Sequence, residues 1–235
     1  MEWRAEGRSD TGSVRRRNED CFVIEPALGL YAVADGLGGH QGGDVASRLA
    51  CQTLVAACRE GAGLEEAIGR SNAAVLDAAQ DDPALHGMGT TLTALVLGAE
   101  NTATVAQVGD SRVYLINGDG LAQVTEDQTV AMDMVRQGTV SLDEARASWG
   151  WNSLTQALGT DPEITPVLTT IEPSETATIL LCTDGLSEMV PDEMIERLLA
   201  DSVRDPAAAA EALVKAAIDR GGRDNVTVIV LTPDA

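Results

Sequence analysis

The chain has 235 residues and a formal net charge of −21, because 37 Asp and Glu outnumber 16 Lys and Arg. Such a charge repels phosphate backbones and anionic membrane surfaces, so it disfavours nucleic-acid and membrane partners. Apolar residues make up 44% of the chain, which is enough for a full core, and neither a leader pattern nor a long apolar run is present. We therefore expect a cytoplasmic, globular protein.

The first third of the chain predicts three strands followed by two helices. Alternation over 3–8 is typical of an edge strand, and apolar runs at 21–24 and 28–34 indicate two more strands, the second one buried and central. Apolar residues at helical spacing then predict amphipathic helices over 42–58 and 64–79.

A run of strands follows, and its short connections predict one antiparallel meander. Its four strands are expected at 90–97, 102–108, 112–116 and 121–124. The remaining predicted elements are short helices near 128–137 and 142–147, a strand at 176–182, helices at 192–200 and 206–220, and a strand at 226–231.

This order lacks the regular βαβ alternation of nucleotide-binding folds and favours the α+β class, with antiparallel sheets covered by helices. We expect a single domain over 1–235, because no linker rich in Pro, Gly or Ser divides the chain. The polar, irregular stretch at about 126–158 is predicted to be an insertion over the surface. Four cysteines without metal-ligand spacing are predicted to be small apolar fillers.

Four aspartates stand where apolar strands end or begin. Asp35, Asp110 and Asp184 each follow a predicted strand, and Asp224 precedes the last one. An Asp-Gly pair is usually a plain turn, but four carboxylates at one end of a sheet sandwich would repel each other unless a cation were bound. Oxygen ligands without His or Cys favour hard ions, so the pattern predicts Mg²⁺ or Mn²⁺.

Two further segments carry candidate chemistry. The run 15–20 (Arg-Arg-Arg-Asn-Glu-Asp) is either a solvated loop or a phosphate-binding arginine beside acids that hold a metal or its waters. Segment 36–43 has five glycines in eight residues, which indicates tight backbone close to a ligand. It also contains His40, which is either structural or catalytic.

Six motifs occur in order along nearly the whole chain. They are Arg15-x-x-Asn18-Glu19-Asp20, Asp35-Gly36-Leu37-Gly38-Gly39-His40, Gly89-Thr90-Thr91, Gly109-Asp110-Ser111-Arg112, Thr183-Asp184-Gly185-Leu186 and Gly222-Arg223-Asp224-Asn225-Val226-Thr227. Each is weak alone. Together they resemble the metal-dependent serine/threonine protein phosphatases of type 2C (the PPM family), in their compact bacterial form.

The resemblance implies a four-layer αββα sandwich, with two antiparallel sheets face to face and helices outside. It implies two metal ions, Mn²⁺ or Mg²⁺, that are bridged by Asp35 and a water. The Gly36 carbonyl would be a further ligand of this pair, and Asp184 and Asp224 would bind the second ion.

The same resemblance assigns the surrounding positions. Glu19 and Asp20 would hold metal-bound waters, and Asp110 would serve a weaker third metal site. Arg15 holds the position of the phosphate-binding arginine, whereas its two arginine neighbours are off that position. His40 is the candidate acid that protonates the leaving group, because Leu37 stands where many eukaryotic relatives have a His.

The implied activity is hydrolysis of phosphoserine and phosphothreonine in proteins by a metal-bridging hydroxide. The expected partners are phosphorylated proteins, with a bacterial Ser/Thr kinase acting in opposition, and the expected state is a monomer. Two alternatives are a scaffold that binds phosphoproteins without hydrolysis and a phosphatase for small phosphoesters. The acidic, Arg-rich, stand-alone form also resembles phosphatases encoded with type VI secretion systems.

The insertion departs from the bacterial pattern at two places. Residues 127–129 read Asp-Gln-Thr where relatives often have Asp-His-Ser, and 148–152 read Ser-Trp-Gly-Trp-Asn where relatives often have His-Pro-x-Arg-Asn. We expect Trp149 and Trp151 to pack this flap onto the body. The alternative is that they contact a protein partner.

Overall fold

Ten strands form two antiparallel sheets in this computed structural model, which describes residues 2–37, 42–99, 101–118, 120–202 and 204–234. One sheet consists, from edge to edge, of β1 (Trp3–Asp10), β10 (Val226–Pro233), β9 (Thr178–Cys182), β6 (Arg112–Asn117) and β7 (Gly120–Gln123). The other consists of β2 (Cys21–Glu25), β3 (Leu30–Ala34), β4 (Leu92–Leu97), β5 (Ala103–Val108) and β8 (Val167–Ile171). The expected edge strand β1 and central strand β3 are both confirmed.

The two sheets pack face to face because each has apolar residues on its inner face. In β3, Tyr31 and Val33 pack against residues of the other sheet, including Ile229. The alternate residues Leu30 and Ala32 face the opposite way, toward helices. This double burial explains why the run is apolar throughout rather than alternating.

Helices cover the outer face of each sheet and complete the four layers. On the second sheet lie α1 (Gly43–Arg59) and α2 (Leu64–Asp81). Two short helices follow in the insertion, α3 (Val130–Arg136) and α4 (Leu142–Arg146), and a single turn, α5 (Asp184–Ser187), leaves β9. On the first sheet lie α6 (Asp192–Asp201) and α7 (Pro206–Asp219). The predicted αββα sandwich is confirmed.

The predicted meander is wrong, because the run of strands is divided between the sheets. β4 pairs with β5 in one sheet, whereas β6 pairs with β7 and β9 in the other. The chain changes sheets after Gly109, whose φ of +102° lies in the left-handed region. A short connection predicts that the two strands it joins pair with each other. The local sequence pattern does not distinguish a hairpin turn from a sharp turn that leads into the other sheet.

Strand β8 was not expected from the sequence. Its residues alternate weakly, and Val167 and Leu168 are about half exposed at the edge of the sheet, 49% and 46%. Within 126–158, the two predicted short helices are confirmed as α3 and α4. Thr129 caps the first of them, and Ser141 forms a capping box with Glu144 on the second. Among the helices described, none is both long and apolar enough to cross a membrane.

Candidate metal and phosphate site

Five aspartates meet at one end of the sandwich, where loops enter or leave the central strands. Asp35 follows β3, Asp110 lies between β5 and β6, and Asp184 begins α5 just behind β9. Asp20 and Asp224 lie just before β2 and β10. Their charges act on one another, so the fold brings these carboxylates close together.

Crowding shifts the protonation of this cluster. Burial and the charges of neighbouring carboxylates act on both Asp35 and Asp184. Burial, together with the charges of Asp20 and Asp184, raises the pKa of Asp35 well above its usual value. Burial is also the main cause that raises the pKa of Asp110, of Asp184 to about 6 and of Asp20 to about 7. Carboxyl groups that keep protons near neutral pH are the expected result when acids are crowded with no cation among them.

The donor set fits hydrated hard cations. Two buried oxygens, Asp20 Oδ1 and Asp184 Oδ1, accept no hydrogen bond from any described residue, and buried acceptors of this kind normally have a partner. Among the described residues, no group of three or more His, Cys, Asp or Glu side chains is already gathered as the ligands of one metal ion. Mg²⁺ commonly takes one or two carboxylates and keeps several waters, so an open, oxygen-only set suits it.

Two threonine hydroxyls hold one side of Asp20. Thr183 Oγ1 and Thr227 Oγ1 donate to Asp20 Oδ2 at 2.9 and 2.6 Å. Thr183 Oγ1 also accepts the backbone N–H of Thr227 at 3.0 Å, which ties β9 to β10 at this end. Sequence reasoning had both threonines within motifs but assigned them no role, because only strand pairing brings them to Asp20.

The main chain of Asp35 is fixed by the start of β4. Its N–H donates to Thr91 Oγ1 at 2.9 Å, and its carbonyl accepts from Thr90 Oγ1 at 2.9 Å. Thr91 Oγ1 is also 2.8 Å from the hydroxyl of Ser111, the residue after Asp110. Buried hydroxyls therefore connect the loops that carry two of the acids.

Gly36 lies where two backbone segments touch. Its N–H donates to the carbonyl of Glu19 at 3.2 Å, and a Cβ on Gly36 would stand 2.4 Å from the Gly43 carbonyl oxygen. Asn225 Oδ1 accepts the N–H of Glu19 at 2.8 Å and so fixes this residue beside the cluster. The close approach of these segments explains the glycine at 36.

His40, the residue predicted to protonate the leaving group, lies outside the described residues.

Arg15 reaches the acidic cluster from the surface. Its guanidinium donates to Asp224 Oδ2 at 2.6 Å, and the two side chains are 41% and 29% exposed. The hydrogen bond with Asp224 raises the pKa of Arg15, and the charges of Glu19 and Asp35 act in the same direction. Arg15 is thus a partly exposed cation beside the carboxylates, in reach of an anion that arrives there.

The first residues of the insertion are fastened to the loop that carries Asp110. Asp127 receives two hydrogen bonds from Arg112, at 2.8 and 2.6 Å, and this ion pair is buried. Gln128 Oε1 accepts the N–H of Gly109 at 2.8 Å, and the Gln128 N–H donates to the Gly109 carbonyl at 3.1 Å. The departure at 127–129 therefore has a structural role, which the sequence did not indicate.

The two tryptophans differ in their surroundings. Trp149 is 81% exposed, so the expectation that it packs the flap onto the body is wrong for this residue. Trp151 is half-buried, and the guanidinium of Arg146 lies 5.9 Å from its ring centroid, within the range of a cation–π contact. Spacing alone does not distinguish them, because both lie in irregular chain between short helices.

Comparison with known proteins identifies the family of the chain. The family model described as protein phosphatase 2C matches residues 12–218. The serine/threonine phosphatase stp of Listeria innocua is 36% identical over 241 residues, which cover 97% of this chain and 94% of that protein.

Two solved structures of the phosphatase PstP are similar as well. The Mycobacterium tuberculosis PstP/Ppp structure gives a TM-score of 0.91 at 36% identity, over 100% of both chains. The PstP catalytic domain in complex with two manganese ions gives a TM-score of 0.87 at 37% identity, over 99% of both chains.

The fold is an αββα sandwich with carboxylates gathered at one end, and the similar proteins of known class are phosphatases. The chain belongs to the protein phosphatase 2C family. It is a metal-dependent serine/threonine protein phosphatase.

Proposed function

We propose that the chain removes phosphate from phosphoserine and phosphothreonine in proteins, at the carboxylate end of the sandwich, with two Mn²⁺ or Mg²⁺ ions. The observation that carries this proposal is that Asp35, Asp184 and Asp224 converge there beside a partly exposed Arg15. Family membership and the manganese-bound relative support the same chemistry.

The residues have distinct roles in this proposal. Asp35, the Gly36 carbonyl, Asp184 and Asp224 hold the two ions, which when bound activate water and neutralise phosphoryl charge. Glu19 and Asp20 hold waters of the ions, and Asp110 with Asp184 forms a weaker third site. The orphaned oxygens of Asp20 and Asp184 support these assignments.

Arg15 is proposed to bind the phosphate. A guanidinium forms paired charge-assisted hydrogen bonds with phosphoryl oxygens as well as with carboxylates. Its contact with Asp224 is at the surface, so the side chain can exchange one anion for another at small cost. Asp224 is then free for its ion, and the substrate phosphate is oriented against the cluster.

The leaving serine or threonine oxygen must gain a proton as it departs. We propose His40 for this step, from its place five residues after Asp35 in the sequence. The step remains a prediction that rests on sequence. Rates for phosphothreonine and for p-nitrophenyl phosphate test it, because the second leaving group needs little protonation.

The cellular setting is also a proposal. We propose one catalytic domain over 1–235, with 126–158 as its flap, acting as a monomer against a bacterial Ser/Thr kinase and its targets. All four cysteines, which lie in described segments, are free thiols, and this suits a reducing, cytoplasmic location. Service in a type VI secretion system remains a prediction from the acidic, Arg-rich composition of the chain.

The decisive experiment measures phosphate release from a phosphothreonine peptide with and without Mn²⁺. Release that requires Mn²⁺ is expected. Binding of the peptide without release of phosphate would favour the scaffold alternative. Release of phosphate from small phosphoesters but not from the peptide would favour a phosphatase for small phosphoesters. The comparisons give no support to either alternative.

A further inference from the structure

A groove runs between the insertion and the first turns that follow β9. Its cavity volume is about 960 Å³, at the upper end of the range of small-molecule pockets. One wall comes from the insertion with Met132, Leu142 and Trp151, and the other from the α5–α6 segment with Glu188 and Met189. The proposed chemistry leaves this groove without a role.

Some residues that line the groove are close in the chain to the acids of the site. Arg223, the neighbour of Asp224, lines it. Glu188 lines it as well, one turn after Asp184, and so does Asn152 of the insertion. A protein chain whose phosphorylated residue sits at Arg15 would therefore have its neighbouring residues at the mouth of the groove.

The charge of the groove is negative. Five acids and three arginines line it, but Asp127 and Arg112 neutralise each other in a buried pair. The remaining acids are Asp192, which accepts a hydrogen bond from the Tyr114 hydroxyl, and the exposed residues Glu126, Glu188 and Glu193. Of these, Glu126 lies 3.7 Å from Arg136. The remaining lining arginines are Arg146 and Arg223.

The groove is also partly apolar. Leu142 is 41% exposed, and Trp151 is half-buried with Arg146 against its ring. An exposed apolar lining with acids at its rim complements a chain that carries both an apolar and a cationic side chain. The net charge of −21 favours the approach of the same kind of partner.

We propose that this groove binds the segment of a phosphoprotein substrate next to the phosphorylated residue, and that it selects segments with a Lys or Arg and an apolar residue. Glu126 and Glu193 are the acids that determine this specificity. Neither belongs to the proposed metal-binding or phosphate-binding residues, so replacing them should leave the hydrolysis reaction intact. The inference rests on the proposed phosphatase function and deepens it.

The test uses four phosphothreonine peptides of equal length. The first peptide has Arg and Leu on the N-terminal side of the phosphothreonine, and the second has them on the C-terminal side. In the third and fourth peptides, the acidic counterparts, Glu and Ser replace Arg and Leu at the same positions. With Mn²⁺, kcat/KM of the full chain should be about fivefold to tenfold higher for one basic peptide than for its acidic counterpart, the size expected for one or two exposed ion pairs.

The double variant Glu126→Gln, Glu193→Gln should lose most of that preference through KM, while its rate on p-nitrophenyl phosphate stays unchanged. Glu211→Gln, an exposed glutamate on α7 that does not line the groove, is the matched control and should keep the preference. Unfolding curves establish that both variants fold.

The outcomes separate the two proposals. Failure to release phosphate from any of the four peptides would overturn the proposed function. Release from all four at equal kcat/KM, or a preference that survives in the double variant, would overturn the groove proposal and leave the phosphatase intact.

Discussion

The carboxylate end of the sandwich and the insertion at 126–158 are adjacent, yet they are built in different ways. The acids stand at the ends of buried strands, and hydroxyls from other strands fix them, as Thr183 and Thr227 fix Asp20. The insertion consists of two short capped helices and exposed chain, including Trp149 at 81% exposure. Rigid strand ends suit chemistry that needs exact placement of charge, and an exposed insertion suits recognition.

The largest expected effect is at the rigid end. Asp35→Asn should lower kcat/KM on phosphopeptide by about 10³-fold or more, equivalent to about 4 kcal/mol, because an amide is a poorer ligand for a hard cation. Calorimetry should show weaker Mn²⁺ binding by the same variant. Asp77→Asn, an exposed residue on α2, is the control. Normal turnover by Asp35→Asn would remove the basis for the two-ion site.

The contact between the two regions is tested next. Arg112→Ala leaves Asp127 as a buried charge without its partner, which typically destabilises a protein by about 3–5 kcal/mol. Chemical denaturation measures the loss. The double variant Arg112→Leu, Asp127→Leu should recover part of it, because no lone charge remains. Equal stability of Arg112→Ala and the unaltered protein would mean that the insertion is not fastened here.

Arg15 lies at the border between solvent and the carboxylates. Arg15→Ala should lower kcat/KM for phosphopeptides by about 10-fold to 150-fold, since a hydrogen bond to a charged group is worth about 1.5–3 kcal/mol. Steady-state kinetics measure this against Arg16→Ala, an exposed neighbour expected to have little effect. A larger loss for Arg16→Ala would show that the register of the motif is wrong.

The acids also predict how stability depends on pH. Their pKa values are raised in the folded chain, to about 7 for Asp20 and about 6 for Asp184, so the folded state binds more protons than the unfolded state near neutral pH. The free energy of unfolding of the metal-free protein should therefore rise as pH falls from 7.5 toward 5. Each kcal/mol gained in this free energy should raise Tm by about 2–4 °C.

Added Mn²⁺ should reverse this trend, because protons compete with the ion for the same carboxylates. Thermal melts at several pH values, with chelator and with Mn²⁺, provide the measurement. A Tm of the metal-free protein that falls steadily as the pH is lowered from 7.5 to 5 would contradict the raised pKa values.

The smallest effect is expected at the exposed insertion. Trp149→Ala should change the free energy of unfolding by less than about 0.5 kcal/mol, as is usual for exposed positions without special contacts, and should leave the rate on p-nitrophenyl phosphate unchanged. Trp151→Ala is the matched comparison and should lower Tm, because its ring is half-buried against Arg146. Similar melting of both variants would remove the distinction between the two rings.

These regions also differ in how far the sequence predicted them. A continuous apolar run predicted β3, which is buried on both faces, and apolar residues at helical spacing predicted α1. The acids at strand ends followed from the placement of the strands. The change of sheet after Gly109 and the roles of Thr183 and Thr227 depend on pairing between distant segments, which local pattern does not contain. The different surroundings of Trp149 and Trp151 depend on side-chain packing in irregular chain, where no periodicity applies.

The pairing of β1 with β10 has a consequence for synthesis of the protein. Eight residues from Trp3 to Asp10 pair with eight from Val226 to Pro233. On the ribosome, β1 and β9 therefore wait with an open edge until the last strand has emerged, and an open edge invites pairing with other chains. Asp224 arrives with that strand, so a nascent chain gains its full set of acids only when the sheet closes.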